Sequence, residues 1–341
     1  MFELLKRYLT IALFVIMMCV PGLVNFDNVS AEDNAINITD ARGETVEFES
    51  PPNRIVSFIP SNTEILYYLG LGEYVVGTDD FSNYPEEVMS LPKVGDSFSV
   101  NYEKIVNLSA DVVVIPAYSG DVIDTLEIYN QTIVATSSTT VDDIYSDMKM
   151  LGKMCGVDDV AENKADGLKA QMEDMKAEGD EIEDENIDVL YMTYTDPIYV
   201  PGGDTFQDTL ISNAGGHNIA SNKTGWPTFS EEEVLAADPD VIIAPESLNS
   251  SVNELIEKDV WKEISAVKND HVYFVDDDIM SRPGPRVVDA QQNLLDIMRE
   301  VEASEDDGDG DSDIPAPGFH LMMVVIISSA LISILRKRRY G

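Results

Sequence analysis

Two cysteines in 341 residues rule out a disulfide framework. Cys19 lies in an apolar N-terminal run. Cys155, the one cysteine of the body, falls in a helix-like segment among Met148, Leu151 and Met154 and reads as a small apolar residue. Histidine is as sparse: of three, His320 belongs to the C-terminal tail, leaving His217 and His271. A zinc centre needs a cluster of such ligands, so no metal site is assigned. The chain has no G-x-G-x-x-G, no Walker-type loop and no G-x-S-x-G elbow, so the common nucleotide-binding and Ser-His-Asp hydrolase signatures are missing. Its nearest glycine-rich stretch, Pro201 to Phe206, is either a turn or an anion cradle at a helix start. Positive charge is the largest deficit. Lys and Arg number 22 against 63 Asp and Glu, for a net charge of −41. Between Glu32 and Ile314 the counts are 16 and 61, a net of −45. Such a surface repels phosphate backbones, which excludes nucleic acid as a partner. The acidity reads as adaptation to salty surroundings, where charge keeps a surface hydrated and soluble.

What is present begins with the two ends. Lys6 and Arg7 precede an apolar run from Leu9 to Val20, and Val29-Ser30-Ala31 offers a small-residue cleavage site. This is the pattern of a signal peptide, with an uncleaved anchor helix as the alternative. Six Asn-x-Ser/Thr triplets, starting at Asn28, Asn37, Asn107, Asn130, Asn222 and Asn249, agree with export. Near the other end, "EASEDDGDGDSDIPAP" is an acidic, low-complexity tether expected to stay extended. After it, Phe319 to Leu335 gives 17 mostly apolar residues followed by a basic cluster, Arg336 to Arg339. Pro317-Gly318-Phe319, an apolar helix and basic residues in that order resemble the PGF-CTERM tail of archaeal surface proteins. The resemblance implies cutting by an archaeosortase and replacement of the helix by lipid.

The body is written twice. "YEKIVNLSADVVVI", Tyr102 to Ile115, returns as "EEEVLAADPDVIIA", Glu231 to Ala244. Each has acids, an apolar pair, a short helix end, an Asp and an apolar run. Around each copy, apolar stretches alternate with short helical ones, which indicates α/β lobes with mainly parallel sheets. In the first half "RIVSFI", "YVVGT", "VVVIPA" and "QTIVAT" read as strands. Ser61 and Glu64 have capping-box spacing for the helix ending at Gly70 or Gly72. In the second half "DVLYMTYT", "VIIAP" and "HVYFVDD" read as strands, and Thr205 and Asp208 repeat the helix-start spacing. Between the halves Val141, Ile144, Tyr145, Met148 and Leu151 fit one helix face, and Ala161, Ala165, Leu168, Met172 and Met175 another. The expected organisation is a signal peptide over 1–31, an α/β lobe over 32–140, a helical connector over 141–186, a second α/β lobe over 187–301, a tether over 302–316 and the tail over 317–341.

Four phrases carry a wider resemblance: "RIVSFIPSNTEILYYLGLGEYVVGTDDFSNYP", "VNYEKIVNLSADVVV", "WPTFSEEEVLAADPDVII" and "SRPGPRVVDAQQNL". From Arg54 to Met298 the chain resembles the cobalamin and iron-complex substrate-binding proteins of ABC transporters, most of all the vitamin B12-binding members. The resemblance implies two Rossmann-like α/β lobes joined by a single long helix, with a ligand cleft between them. It also implies a bulky ligand, cobalamin or an iron complex such as a ferric siderophore or haem, and partners in a membrane permease and its ATPase. Glu103 and Glu232 map to the family's permease-docking acids, with Glu231 and Glu233 leaving the second uncertain by one position. On the residues alone, both are first-turn acids favoured by the helix dipole. Aromatic candidates for ligand contact are Phe81, Tyr84, Phe98, Tyr118, Tyr199 and Trp226, with Asp278, Ser281, Arg282 and Arg286 as polar anchors and Arg282 preferred. Several positions that are rich in Trp in the family carry smaller residues here, such as Ser97. A secreted hydrolase using Glu103 and Glu232 is the reading from another class; it requires both acids to face one bond, which equivalent positions on two lobes disfavour. No catalytic residue or cofactor is assigned.

Overall fold

Short apolar runs become strands in both halves, and the order of their pairing is the same in each. The computed structural model describes residues 35–137, 139–182 and 187–306. The expected leader, most of the tether and the tail lie outside these residues. An antiparallel hairpin, β1 (Ile36–Thr39) and β2 (Thr45–Phe48), opens the described chain. The first lobe follows as β3 (Ile55–Ser57), α1 (Pro60–Tyr68), β4 (Val75–Thr78), the small hairpin β5 (Gly95–Asp96) and β6 (Ser99–Val100), α2 (Tyr102–Asn107), β7 (Val112–Pro116), α3 (Gly120–Ile128) and β8 (Ile133–Thr136). The connector holds two helices, α4 (Val141–Met154) and α5 (Asp158–Gly179), so the single long helix expected, α5, is preceded by a shorter one. The second lobe contains β9 (Asp188–Tyr191), β10 (Tyr194–Thr195), β11 (Ile198–Tyr199), α6 (Phe206–Asn213), β12 (His217–Asn218), β13 (Thr228–Phe229), α7 (Glu231–Ala237), β14 (Val241–Pro245), α8 (Asn249–Ile256), α9 (Ser265–Lys268), β15 (Val272–Val275), α10 (Asp277–Ser281) and α11 (Val287–Asp306).

The two main sheets are parallel, in the orders β4-β3-β7-β8 and β12-β9-β14-β15. Position by position, β3 corresponds to β9, β4 to β12, β7 to β14 and β8 to β15. The Asp shared by the doubled phrase has the same structural task in both. Asp111 Oδ2 accepts the backbone amides of Asn53 and Arg54 at 2.8 and 2.9 Å. Asp240 Oδ2 accepts the Asp188 amide at 2.8 Å. Each Asp thereby pins the start of its strand to the neighbouring one.

Period-2 alternation sorts the strand residues between cores. Val112 and Val114 of β7, with Val241 and Ile243 of β14, face one continuous core that also takes in α4, α5 and α11. Val113 and Ile115 face a second core inside the first lobe, and Ile242 and Ala244 a third inside the second lobe. The lobes are therefore joined by shared apolar packing as well as by chain. Full burial of each Leu or Ile in that seam stabilises by roughly 1.5–3 kcal/mol.

The connector faces are those expected: Val141, Ile144, Tyr145, Met148 and Leu151 are buried on α4, and Ala161, Ala165, Leu168 and Met172 on α5. Thr140 caps α4 by accepting from the Asp143 amide at 3.2 Å, and Asp143 accepts the Thr140 amide at 2.8 Å. The crossing of α4 and α5 is tight enough to demand glycine, because a Cβ on Gly152 would lie 2.1 Å from Ala161 Cβ. Cys155 closes α4, and burial pushes its thiol up to about 12, so it stays protonated and inert.

Two expectations need correction. Ser61 and Glu64 form no capping box: α1 starts at Pro60, which fixes φ at the first turn, and Ile59 at its N-cap has no side chain to cap with. Gly70 does end the helix, with φ +84° and the Leu71 amide bonded back to the Leu66 carbonyl at 2.9 Å. The extended tether does not begin at Glu302, because α11 runs on to Asp306. Ser304 Oγ, 2.9 Å from His271 Nε2, ties that last part of the helix to the start of β15.

Candidate functional site

Loops at the C-terminal ends of parallel strands converge between the lobes, where open α/β sheets place ligands. They enclose a cleft of about 640 Å³. From the first lobe come Ile59, Pro60 and Ser61 after β3, Phe81 after β4, Tyr118 after β7 and Thr139 after β8. From the second come Asp204, Thr205, Phe206 and Gln207 at the start of α6, Gly225 and Trp226 before β13, and Asp278, Ser281, Arg282 and Pro283 after β15. Phe81, Tyr118 and Trp226 are 62, 67 and 47 % exposed. Large rings so poorly covered by their own chain are surfaces left for something else. Desolvation raises the Tyr118 phenol above its ordinary value, so the wall it forms is neutral.

The loop carrying Phe81 is set by a buried polar chain. Ser57, Thr63 and Ser82 hydroxyls follow one another at 2.8 and 2.9 Å, and Ser82 donates to Asp79. Asp79 also accepts the Phe81 amide at 2.8 Å, and Lys93 donates to the Ser82 carbonyl at 2.5 Å. Burial pushes the Asp79 carboxyl up, against the pull of Ser82, the Phe81 amide, Lys93 and Arg282.

Behind Arg282 the lobes are bridged by Glu64, whose side chain is 2 % exposed. Arg286 grips it with two bonds, Nε to Oε2 at 2.8 Å and Nη2 to Oε1 at 2.7 Å. Arg282 Nη1 adds a third at 3.1 Å. The same arginine donates to Asn83 Oδ1 at 2.7 Å, to Asp278 Oδ1 at 2.5 Å and to the Phe81 carbonyl at 3.3 Å. Burial works against the Arg286 charge, but Glu64, with Asp276 and Asp278, outweighs it and pushes the pKa up.

Of the residues singled out from sequence, Phe81, Tyr118, Trp226, Asp278, Ser281 and Arg282 border the cleft. Tyr84, Phe98 and Tyr199 do not. Tyr84 lies under the Arg286 guanidinium, 4.4 Å from ring centroid to Cζ. Phe98 stands at the tip of the β5–β6 hairpin, 99 % exposed. Tyr199 meets Tyr194 at 6.4 Å between centroids. Sequence reasoning missed Asp204, Thr205, Phe206, Gln207 and Glu64. The "PGGDTF" loop was a signal for the first of these. Its Gly203 is there for close approach, since a Cβ would sit 2.0 Å from the Ser221 carbonyl oxygen.

Glu103 and Glu232 lie outside the cleft lining, at matching places. Asn101 caps α2, Ser230 caps α7, and each Glu is the second residue of its helix. Glu231 is bonded to Lys258 at 2.7 Å, which with Trp261 holds it below the usual carboxylate range. Glu233 completes a capping box with Ser230, whose amide, with Lys223, lowers it likewise. Glu232, between them, is exposed and makes no side-chain bond among the described residues, and Glu103 is the same. A hydrogen-bonded relay of Asp188, His217 and Ser221, at 2.7 and 3.2 Å, also exists, but on the open surface and away from the cleft. Among the described residues no group of three or more His, Cys, Asp or Glu is placed to hold a metal. No helix among the described residues is long and apolar enough to cross a membrane.

Comparison with known proteins gives this geometry relatives. A family model described as periplasmic binding protein matches residues 55–279. An uncharacterized ABC transporter substrate-binding lipoprotein of Bacillus subtilis, YvrC, is 33% identical over 270 residues, covering 77% of this chain and 85% of its own. The crystal structure of the periplasmic vitamin B12 binding protein BtuF of Vibrio cholerae superposes with a TM-score of 0.66 at 26% identity, covering 74% of this chain and 98% of that one. The periplasmic heme-binding protein RhuT from Roseiflexus sp. RS-1, in apo form, superposes with a TM-score of 0.66 at 26% identity, covering 74% and 99%.

Proposed function

The chain belongs to the periplasmic binding protein family, as the substrate-binding component of an ABC importer, and from that premise we propose that its cleft captures a corrinoid, cobalamin foremost, for delivery to the membrane permease and its ATPase. The observation that carries this reading is the set of three uncovered aromatic faces, Phe81 and Tyr118 from one lobe and Trp226 from the other, around a cleft of about 640 Å³. A bulky flat ligand needs apolar faces with few polar anchors. The vitamin B12-binding relative supports the corrinoid. A ferric siderophore or haem is the second reading, supported by a haem-binding relative of equal TM-score.

Delivery works through Glu103 and Glu232. They are chemically free, matched between lobes and separate from the cleft, so the permease can read the pair whether or not ligand is bound. The continuous core across α4, α5 and α11, with the Glu64 bridge, supports capture with little lobe closure. The leader pattern over 1–31 supports export. The tail over 317–341 supports retention at the outer face of the membrane, by its helix or, after an archaeosortase, by lipid.

Titration of the purified chain with cyanocobalamin, haemin and ferric siderophores tests the ligand, followed by ligand absorbance and tryptophan quenching. Cyanocobalamin is expected to bind, and Trp226→Ala to weaken it about tenfold or more. Hydrolase activity with no binding of any of the three overturns the proposal.

A further inference from the structure

Arg282 is the one Lys or Arg bordering the cleft among the described residues, and its guanidinium is already committed to Glu64, Asn83, Asp278 and the Phe81 carbonyl. Its side chain is 10 % exposed. Two carboxylates border the same space. Asp278 is shared with Arg282, and its other oxygen accepts from Asn83 at 2.9 Å. Asp204, on the second lobe, is exposed. One of its oxygens accepts the Gly225 amide at 2.6 Å, and the other has no partner among the described residues. Behind them Glu64 serves both arginines at once. Counting Glu64, Asp278 and Asp204 against Arg282 and Arg286, the cluster keeps a residual negative charge. The facing wall brings no charged group: its polar members are Ser61, Thr139 and the neutral Tyr118 phenol, beside Ile59, Pro60 and Phe81.

We propose that the cleft selects its ligand by charge: it accepts a bulky ligand whose rim is amide, hydroxyl or cationic and rejects one whose rim carries carboxylates, with Asp204 as a specificity-determining residue. The inference rests on the cleft being the ligand site, as proposed above. An incoming carboxylate finds no uncommitted cation. It either breaks the Glu64 bridge or lies beside Asp204 and Asp278, and both choices cost binding free energy. A primary amide at the same place donates to Asp204 instead. Low-dielectric aromatic walls strengthen the discrimination, and salt weakens it where the cleft is open to solvent.

The test compares ligands that differ in charge on one skeleton. The full-length chain is titrated with cyanocobalamin and with its monocarboxylic acids, in which one side-chain amide is hydrolysed. Cationic ferrioxamine B and anionic haemin form a second pair. The measurements are made at the lowest salt in which circular dichroism shows the chain folded, and again at about 1 M, where the Debye length falls to about 3 Å. The acids are expected to bind about tenfold more weakly than the amide at low salt, with the ratio shrinking at high salt. Asp204→Asn keeps an acceptor for the Gly225 amide and is expected to narrow the amide-to-acid ratio. Equal affinities for amide and acid, or haemin binding more tightly than ferrioxamine B, overturn charge selection. If ferrioxamine B binds while cyanocobalamin and haemin do not, the corrinoid reading falls and charge selection stands. If nothing in the panel binds, both fall.

Discussion

Glu64 is the residue on which the two lobes agree. Its partners lie 218 and 222 residues away, so no local pattern announces it, and its spacing from Ser61 points to a helix cap it does not make. Exposed ion pairs such as Lys149–Asp166 add little to stability, because solvent screens them. Glu64 differs because its side chain is 2 % exposed and faces two arginines that are themselves mostly covered. Removing one partner of a buried pair leaves the other charges without compensation, which costs more than the pair is worth. Glu64→Gln is therefore expected to lose about 3 kcal/mol of stability in urea denaturation. It should also couple to Arg286→Met in a double-mutant cycle by about 1–3 kcal/mol. A loss within about 0.5 kcal/mol would mark the bridge as an ordinary surface pair.

At the scale of elements, the doubled phrase carried most of what was readable. Continuous apolar runs gave the strands of both sheets, because those strands are buried on both faces, and period-3.6 faces gave α4 and α5, because helices buried on one side leave that period in the sequence. The same repeat brought Glu103 and Glu232 into correspondence. The choice among Glu231, Glu232 and Glu233 was not readable, because it depends on Lys258, Trp261 and Lys223, which fold back from elsewhere. The cleft was half readable for a similar reason. Strand-end loops are recognisable, but which of their aromatics turn inward depends on tertiary direction: Phe81 and Trp226 do, Tyr84 and Phe98 do not. The two helix starts are short, rigid and capped, so each Glu is presented without strain or internal competition. If Glu103 and Glu232 dock the permease as proposed, Glu103→Ala with Glu232→Ala is expected to leave ligand affinity unchanged and to reduce uptake in cells at least tenfold, since both proposed contacts are lost together. Loss of ligand binding in that pair would move the acids into the cleft and refute docking.

For the whole molecule the governing quantity is a net charge of −45 between Glu32 and Ile314. Salt acts on it in two opposed ways. It weakens exposed attractive pairs such as Lys176–Asp180 and Arg299–Glu178, each worth a few tenths of a kcal/mol. It also screens repulsion among acids that outnumber bases nearly four to one. The second effect wins on numbers, because there are not enough cations to pair most of the acids. Raising KCl from about 0.2 M to about 2 M shortens the Debye length from about 7 Å to about 2 Å and is expected to raise the Tm by about 5–10 °C, measured by circular dichroism. Sucrose, which favours burial without screening, should raise it less. The Glu64 bridge supplies an internal control. Buried charges are shielded little by ions, so the gap in Tm between the native chain and Glu64→Gln should persist at high salt while the Tm of both rises. A flat or falling Tm for the native chain would show that the acidic surface is not what salt stabilises, and a gap that closes would show that the bridge is solvated.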